Sequence, residues 1–152
     1  MSAQIKIKPS ARYYKTGPFS EQAVTQAVVS FMSDDPKVSR RGFKVARKAT
    51  SKYLFVDISA ADKHGNMWRI EAKGKSTQPR GDFLEGLGQI LTTVDVTHGS
   101  PRAEYYLALP ELNAYRNQAR KLSMAVRKLI GLGFLFVDAR RHVKRYTPGR
   151  LV

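Results

Sequence analysis

The segment from Tyr53 to Gly74 constrains the fold more than any other part of the chain. Tyr53 to Ala60 is rich in β-branched and aromatic residues and reads as a buried strand. Asp62 to Asn66 has turn composition, and Met67 to Lys73 alternates as a returning strand. A hairpin turning near His64 and Gly65 sets Asp57 opposite or diagonal to Glu71. Glu71 and Lys73 lie two apart, so they share one sheet face. Two carboxylates and an ammonium thus converge at the end of two adjacent strands. A hard cation such as Mg2+ takes one or two carboxylates with phosphate and water oxygens. A lysine beside it can position water and offset charge on a phosphate.

Each of these residues also has an ordinary structural use. Asp57 can pair with Lys73 or Arg69, but an acid inside the apolar run Leu54 to Ile58 is costly without a partner, which favours a site. Glu71 and Lys73 can form a surface cross-strand pair. Asp62 suits the turn, and Lys75 reads as a solvated or phosphate-contacting lysine rather than a catalytic one.

The rest of the chain supplies a frame for that hairpin. Phe19, Ala23, Val24, Ala27, Val28 and Phe31 predict a helix over 18–32, with Pro18 in its first turn and Asp34 to Pro36 ending it. Phe43 and Val45 suggest a strand near 42–48. Asp82 to Asp95 is expected to be helical, with Phe83, Leu84, Leu87, Ile90, Leu91 and Val94 on one face. Gly86 and Gly88 weaken it by about 1 kcal/mol each if interior, and suggest close approach to a strand or ligand. Glu104 to Leu109 is a strand stopped by Pro110, with one of Tyr105 and Tyr106 expected in the core.

A single helix is predicted over 113–130. Tyr115, Ala119, Leu122, Val126, Leu129 and Ile130 turn inward, while Arg116, Arg120, Lys121, Arg127 and Lys128 lie mostly away. Gly131 and Gly133 close it; following a helix and preceding a strand, they are not a dinucleotide loop. Phe134 to Asp138 and His142 to Tyr146 are the last strands. The expected fold class is therefore α/β: a single domain over 1–152 with a mixed central sheet flanked by helices. Residues 1–15 form a basic arm open to flexibility.

Charge narrows the function. Lys and Arg number 27 against 12 Asp and Glu, a net of +15 that favours a polyanionic partner, nucleic acid before acidic membrane. Residues 1–52 carry 11 basic and 3 acidic side chains, and residues 113–152 carry 10 and 1. Residues 53–112 carry 6 and 8, so two basic ends flank a mildly acidic middle. Acids repel a phosphate backbone, but an enzyme holding a divalent ion against a phosphodiester needs them. No apolar run reaches the roughly 20 residues of a membrane span, and residues 1–9 hold no apolar signal core. There is no cysteine, which excludes disulfides, cysteine metal sites and thiol catalysis. A cytoplasmic protein without a membrane partner is expected.

Asp57, followed across a hairpin by Glu71-Ala72-Lys73, resembles the signature of the PD-(D/E)xK nuclease superfamily. The helix with Glu21 is similar to that family's first helix, which often carries a further acid. Gln89 falls on the helix after the motif, where several branches have a functional glutamine. The order α-β-β-β-α-β resembles the restriction-endonuclease-like core, over roughly residues 18–139. Val56 stands where proline commonly precedes the first acid. The resemblance implies a Mg2+- or Mn2+-dependent phosphodiester hydrolase, acting on DNA more than RNA and selective for strand structure, in the manner of junction resolvases. Asp57, Glu71 and the Ala72 carbonyl would hold the metal. Lys73 would orient the nucleophilic water, Gln89 would contact the site or backbone, and Glu21 would be an outer acid.

Arg12, Tyr14, Lys15, Lys75, Arg116 and Arg120 are the candidate nucleic-acid contacts: the first three in the basic arm, the last two on the exposed face of helix 113–130. A homodimer would let two sites cut two strands, and a helicase or other partner would supply selectivity the chain lacks. The alternatives are a non-catalytic basic nucleic-acid-binding module and a nuclease subunit that needs its partner to cut.

Overall fold

The computed structural model describes residues 14, 16–47, 56–94, 96–97, 100–101 and 103–152. Helix α1 (Glu21–Asp34) starts where the Ser20 hydroxyl accepts the Ala23 amide at 3.1 Å. Pro18 therefore lies in the turn before the helix rather than in its first turn. Asp35 ends α1 and caps α2 (Pro36–Ser39), accepting from the amides of Lys37 and Val38 at 2.9 and 3.0 Å.

Strand β1 (Lys44–Arg47) pairs antiparallel with β2 (Ile58–Ala61), which pairs antiparallel with β3 (Met67–Ala72). The turn between β2 and β3 is held by Asp62, which accepts from the amides of His64 and Asn66, both at 2.9 Å. Gly65 takes φ 81°, a left-handed value glycine adopts at no steric cost. The predicted strand from Tyr53 is seen only in part: Val56 and Asp57 form a bend before β2, and residues 51–55 lie outside the described residues.

Helix α3 (Pro79–Leu91) begins three residues before the predicted start, because Pro79 fits a first-turn position that needs no N–H donor. Val96–Thr97 (β4) and Ser100–Pro101 (β5) pair apart from the main sheet. His98 lies outside the described residues. Strand β6 (Ala103–Pro110) runs parallel to β3, β7 (Leu132–Val137) runs parallel to β6, and β8 (Val143–Tyr146) returns antiparallel. The six-stranded order is β1-β2-β3-β6-β7-β8, a mixed sheet in a single α/β domain.

One sheet face packs Trp68, Ile70, Ala72, Tyr106, Ala108, Leu135 and Val137 against α1. The other packs Tyr105, Leu107, Leu109, Phe134 and Phe136 against Phe83 and Ile90 of α3, with Tyr115 and Ala119. Strands covered on both faces carry continuous apolar runs, as β6 and β7 do. Both Tyr105 and Tyr106 are fully buried, one on each face, where one was expected.

The single helix over 113–130 is two, α4 (Asn113–Arg120) and α5 (Met124–Ile130). Ser123 breaks it by capping a new helix, its hydroxyl accepting the Val126 amide at 3.2 Å. The break rotates α5, so Val126 and Leu129 are exposed while Arg127 is buried. Its guanidinium donates to the carbonyls of Arg150 (2.8 Å) and Thr147 (2.7 Å), tying the C-terminal segment to α5. Gly131 closes α5 in the left-handed conformation, whereas Gly133 lies inside β7, where a side chain would collide with Tyr106.

Candidate active site

Lys73 follows the last residue of β3, and its amide donates to the Ala108 carbonyl at 2.9 Å. That bond extends the parallel ladder by one step, so Lys73 and Glu71 project toward α3. The Lys73 side chain runs beside Gly86, where an added Cβ would sit 3.2 Å from Lys73 Cγ and 2.6 Å from Leu107 Cδ1. Gly86 thus lets helix and strand approach closely, as its sequence suggested. Gly88 does not: nothing lies within 4 Å of its Cβ position.

Lys73 is buried, 4% exposed. Its Nζ lies 3.4 Å from Glu71 Oε1 and 3.1 Å from Glu85 Oε1. Burial opposes its charge, but Glu85, Glu71 and the more distant Glu21 outweigh that and hold its pKa above the ordinary lysine value. Glu85 was not singled out from the sequence. Its signal is spacing: one residue before Gly86 and four before Gln89, it lies on the side of α3 that meets β3.

Asp57 reaches the same strand end. Its Oδ2 accepts the Ala72 amide at 2.8 Å. The register pairs Ile58 with Ile70, so one step back sets Asp57 level with Glu71. A strand residue presents its N–H and C=O on the same side, so the Ala72 carbonyl faces the Asp57 side as well. Glu21 arrives from the start of α1. Gly74 packs so tightly against the Glu21 amide that any side chain at 74 would collide with it. Gln89 is half-buried on α3, and its Oε1 is buried without a hydrogen-bond partner among the described residues.

The exit from β3 is fixed by a buried network. Asp82 accepts from the Ser76 hydroxyl and from the Tyr115 hydroxyl, the latter at 2.9 Å. The Ser76 amide donates to the Tyr115 oxygen at 3.0 Å. Burial first, then the Asp82 carboxylate, push the Tyr115 hydroxyl up to about 12. This network pins the Gly74–Gln78 segment, and with it the direction in which Lys73 leaves the strand.

Other predicted residues lie elsewhere. Asp62 is at the far end of the hairpin, paired with Arg41 at 3.0 Å, and works as a turn former. Arg116 is committed inward: it donates to Glu111 at 2.6 Å and to the Tyr146 hydroxyl at 3.1 Å, and lies over the Phe136 and Tyr146 rings. That leaves it poorly placed to grip a phosphate. Arg120 is exposed and donates to the Val152 carbonyl at 3.1 Å. Lys75 follows Lys73 by two residues, and its carbonyl accepts the Tyr14 amide at 3.2 Å, while Arg12 and Lys15 lie outside the described residues.

The donor set suits a hard divalent ion: two carboxylates and a carbonyl facing the same strand end. No group of three or more His, Asp or Glu placed to hold a metal occurs among the described residues. An ion here would rest on Asp57, Glu71 and the Ala72 carbonyl, with water or substrate oxygens completing its shell. The arrangement sits at the C-terminal end of β3, an internal strand, with Glu71 and Lys73 buried. A cavity of about 680 Å3, lined by Arg41, His64, Glu104 and Lys128 among others, lies at the opposite end of β3. No helix among the described residues is long and apolar enough to cross a membrane. No family model matches the chain, and no curated protein or solved structure matches it.

Proposed function

We propose that the chain is a metal-dependent nuclease with a restriction-endonuclease-like core, hydrolysing phosphodiester bonds of nucleic acid, DNA before RNA. The observation that carries this reading is the meeting of Asp57, Glu71 and Lys73 at the C-terminal end of β3, with Lys73 buried yet held charged. With the four-residue α2 and the two-residue strands β4 and β5 set aside, α1, β1, β2, β3, α3 and β6 follow the α-β-β-β-α-β order. The net charge of +15 supplies attraction for a polyanion that the acidic site itself would repel.

Asp57, Glu71 and the Ala72 carbonyl would hold a Mg2+ or Mn2+ ion, which when bound would supply Lewis acidity at a phosphoryl oxygen and a more acidic water. Asp57 is held for that task by the Ala72 amide, which fixes the direction of its carboxylate. Lys73 donates hydrogen bonds: in the resting site to Glu85, and in the working site to the water or to a phosphate oxygen. Glu85 keeps the ammonium pointing along α3. Gln89, whose buried Oε1 has no hydrogen-bond partner among the described residues, offers an acceptor for a water or hydroxyl.

The second reading is a basic binding module that does not cut. It is favoured by the ion pairs Lys73 already makes with Glu71 and Glu85. One assay separates the two. Supercoiled plasmid, linear duplex, single strand and four-way junction are incubated with protein in Mg2+, Mn2+ or EDTA, with Asp57→Asn and Lys73→Ala as controls. Cleavage that requires metal and vanishes in both variants is expected. Equal binding by all three proteins, with no cleavage under any condition, leaves the binding module.

A further inference from the structure

Tyr14 is 51% exposed, so its ring is open to a partner from solvent. It is not loosely hung. Its amide donates to the Lys75 carbonyl at 3.2 Å, and the Lys75 amide donates to the Phe19 carbonyl at 2.7 Å. The Lys75 ammonium lies 5.0 Å from the centre of the Tyr14 ring. Ring and cation are thus tied to one backbone position. That position follows Lys73 by two residues, at most about 7 Å of extended chain.

We infer that Tyr14 and Lys75 form a station for one unpaired nucleotide, the ring stacking its base and the ammonium meeting its phosphate. A base inside a duplex has both faces covered by its neighbours, so a stacking ring selects strands that are single, frayed or flapped. A stacked ring accepts any base, so the station selects strand structure and not sequence. The location next to a cleavage site rests on the nuclease reading above; the binding itself does not, because it uses neither metal nor Lys73.

The test is fluorescence anisotropy in EDTA with one labelled oligonucleotide, as single strand and as blunt duplex. Proteins are the wild type, Tyr14→Ala, Tyr14→Phe and Lys75→Ala. The wild type is expected to prefer the single strand. Tyr14→Ala should weaken single-strand binding about tenfold, the scale of one base–aromatic stack, while changing duplex binding little. Tyr14→Phe should keep the preference, and Lys75→Ala should weaken single-strand binding with a shallower salt dependence. Equal loss on both substrates in Tyr14→Ala, or no loss on either, overturns the station. A parallel cleavage assay in Mg2+ with Lys73→Ala keeps the readings apart. Preference without cleavage leaves the station on a non-cutting protein, and cleavage without preference removes the station alone.

Discussion

Lys73 is held charged where burial opposes its charge. It is a buried cation between Glu71 and Glu85, with Glu21 further off. Its folded pKa lies above the lysine value, so the stability it contributes is fully present at neutral pH. That contribution is lost as pH rises from about 10.4 through the folded pKa. Glu85→Gln removes one of the carboxylates that raise it. The variant should be less stable at pH 7 by roughly 1 kcal/mol, because Glu85 is half exposed and partly screened. Its stability should also fall less steeply between neutral and alkaline pH than that of the wild type. Urea denaturation across that range measures both effects. Parallel curves would show that Glu85 does not hold the ammonium.

At the scale of elements, what the sequence revealed depended on whether the signal was local. The hairpin was legible because Asp62, Gly65 and Asn66 set the turn by themselves and the register followed. Asp57, Glu71 and Lys73 were legible for the same reason, being brought together by two adjacent strands. The α4–α5 break was not, since Ser123 reads as an ordinary residue in a helical pattern until its capping bond is seen. Arg127 was misplaced with it: a cation satisfied by carbonyls of residues 132 to 150 leaves no trace in a window of eighteen residues. Glu85 and the Ser76–Asp82–Tyr115 network escaped because their partners sit on other elements.

That network yields a prediction at its own scale. Tyr115 on α4 links the loop after β3 to the first turn of α3 through Asp82 and Ser76. Tyr115→Phe keeps the packed ring and removes the hydroxyl, leaving a buried carboxylate and the Ser76 amide each short of a partner. The expected cost is about 1–3 kcal/mol in denaturant unfolding. Amide exchange should speed at Ser76 and Gln78 more than in β6 or β7, because the loop loosens while the central sheet stays intact. Uniform acceleration would mean that the network supports the whole fold and not the Lys73 exit.

The parallel strands organise the whole molecule around one edge. β3, β6 and β7 point the same way, so their C-terminal ends lie side by side. At about 4.8 Å per strand, β7 runs roughly 10 Å from β3, and its last residue Val137 lies two residues beyond the level of Ala72. The turn there carries Arg140 and Arg141, both exposed. Asp138 holds it by accepting the amides of Arg140 at 2.8 Å and His142 at 2.9 Å. Arg141 takes φ 67°, a left-handed backbone that costs a side-chain-bearing residue about 1–2 kcal/mol. Part of the net charge of +15 thus lies at the same end of the sheet as the proposed site: two guanidinium groups that would offset the repulsion of its acids for a phosphate backbone. Arg141→Gly relieves the strained backbone and removes the charge, so it should leave the protein at least as stable as wild type. Combined with Arg140→Ala, it should weaken binding to single strand and duplex alike, with the slope of log affinity against log salt falling by about 1–2. That pattern differs from the substrate-selective loss expected at Tyr14. An unchanged slope in titrations from low to moderate salt would place the strand on another face, and the edge would then lose its claim as the nucleic-acid path.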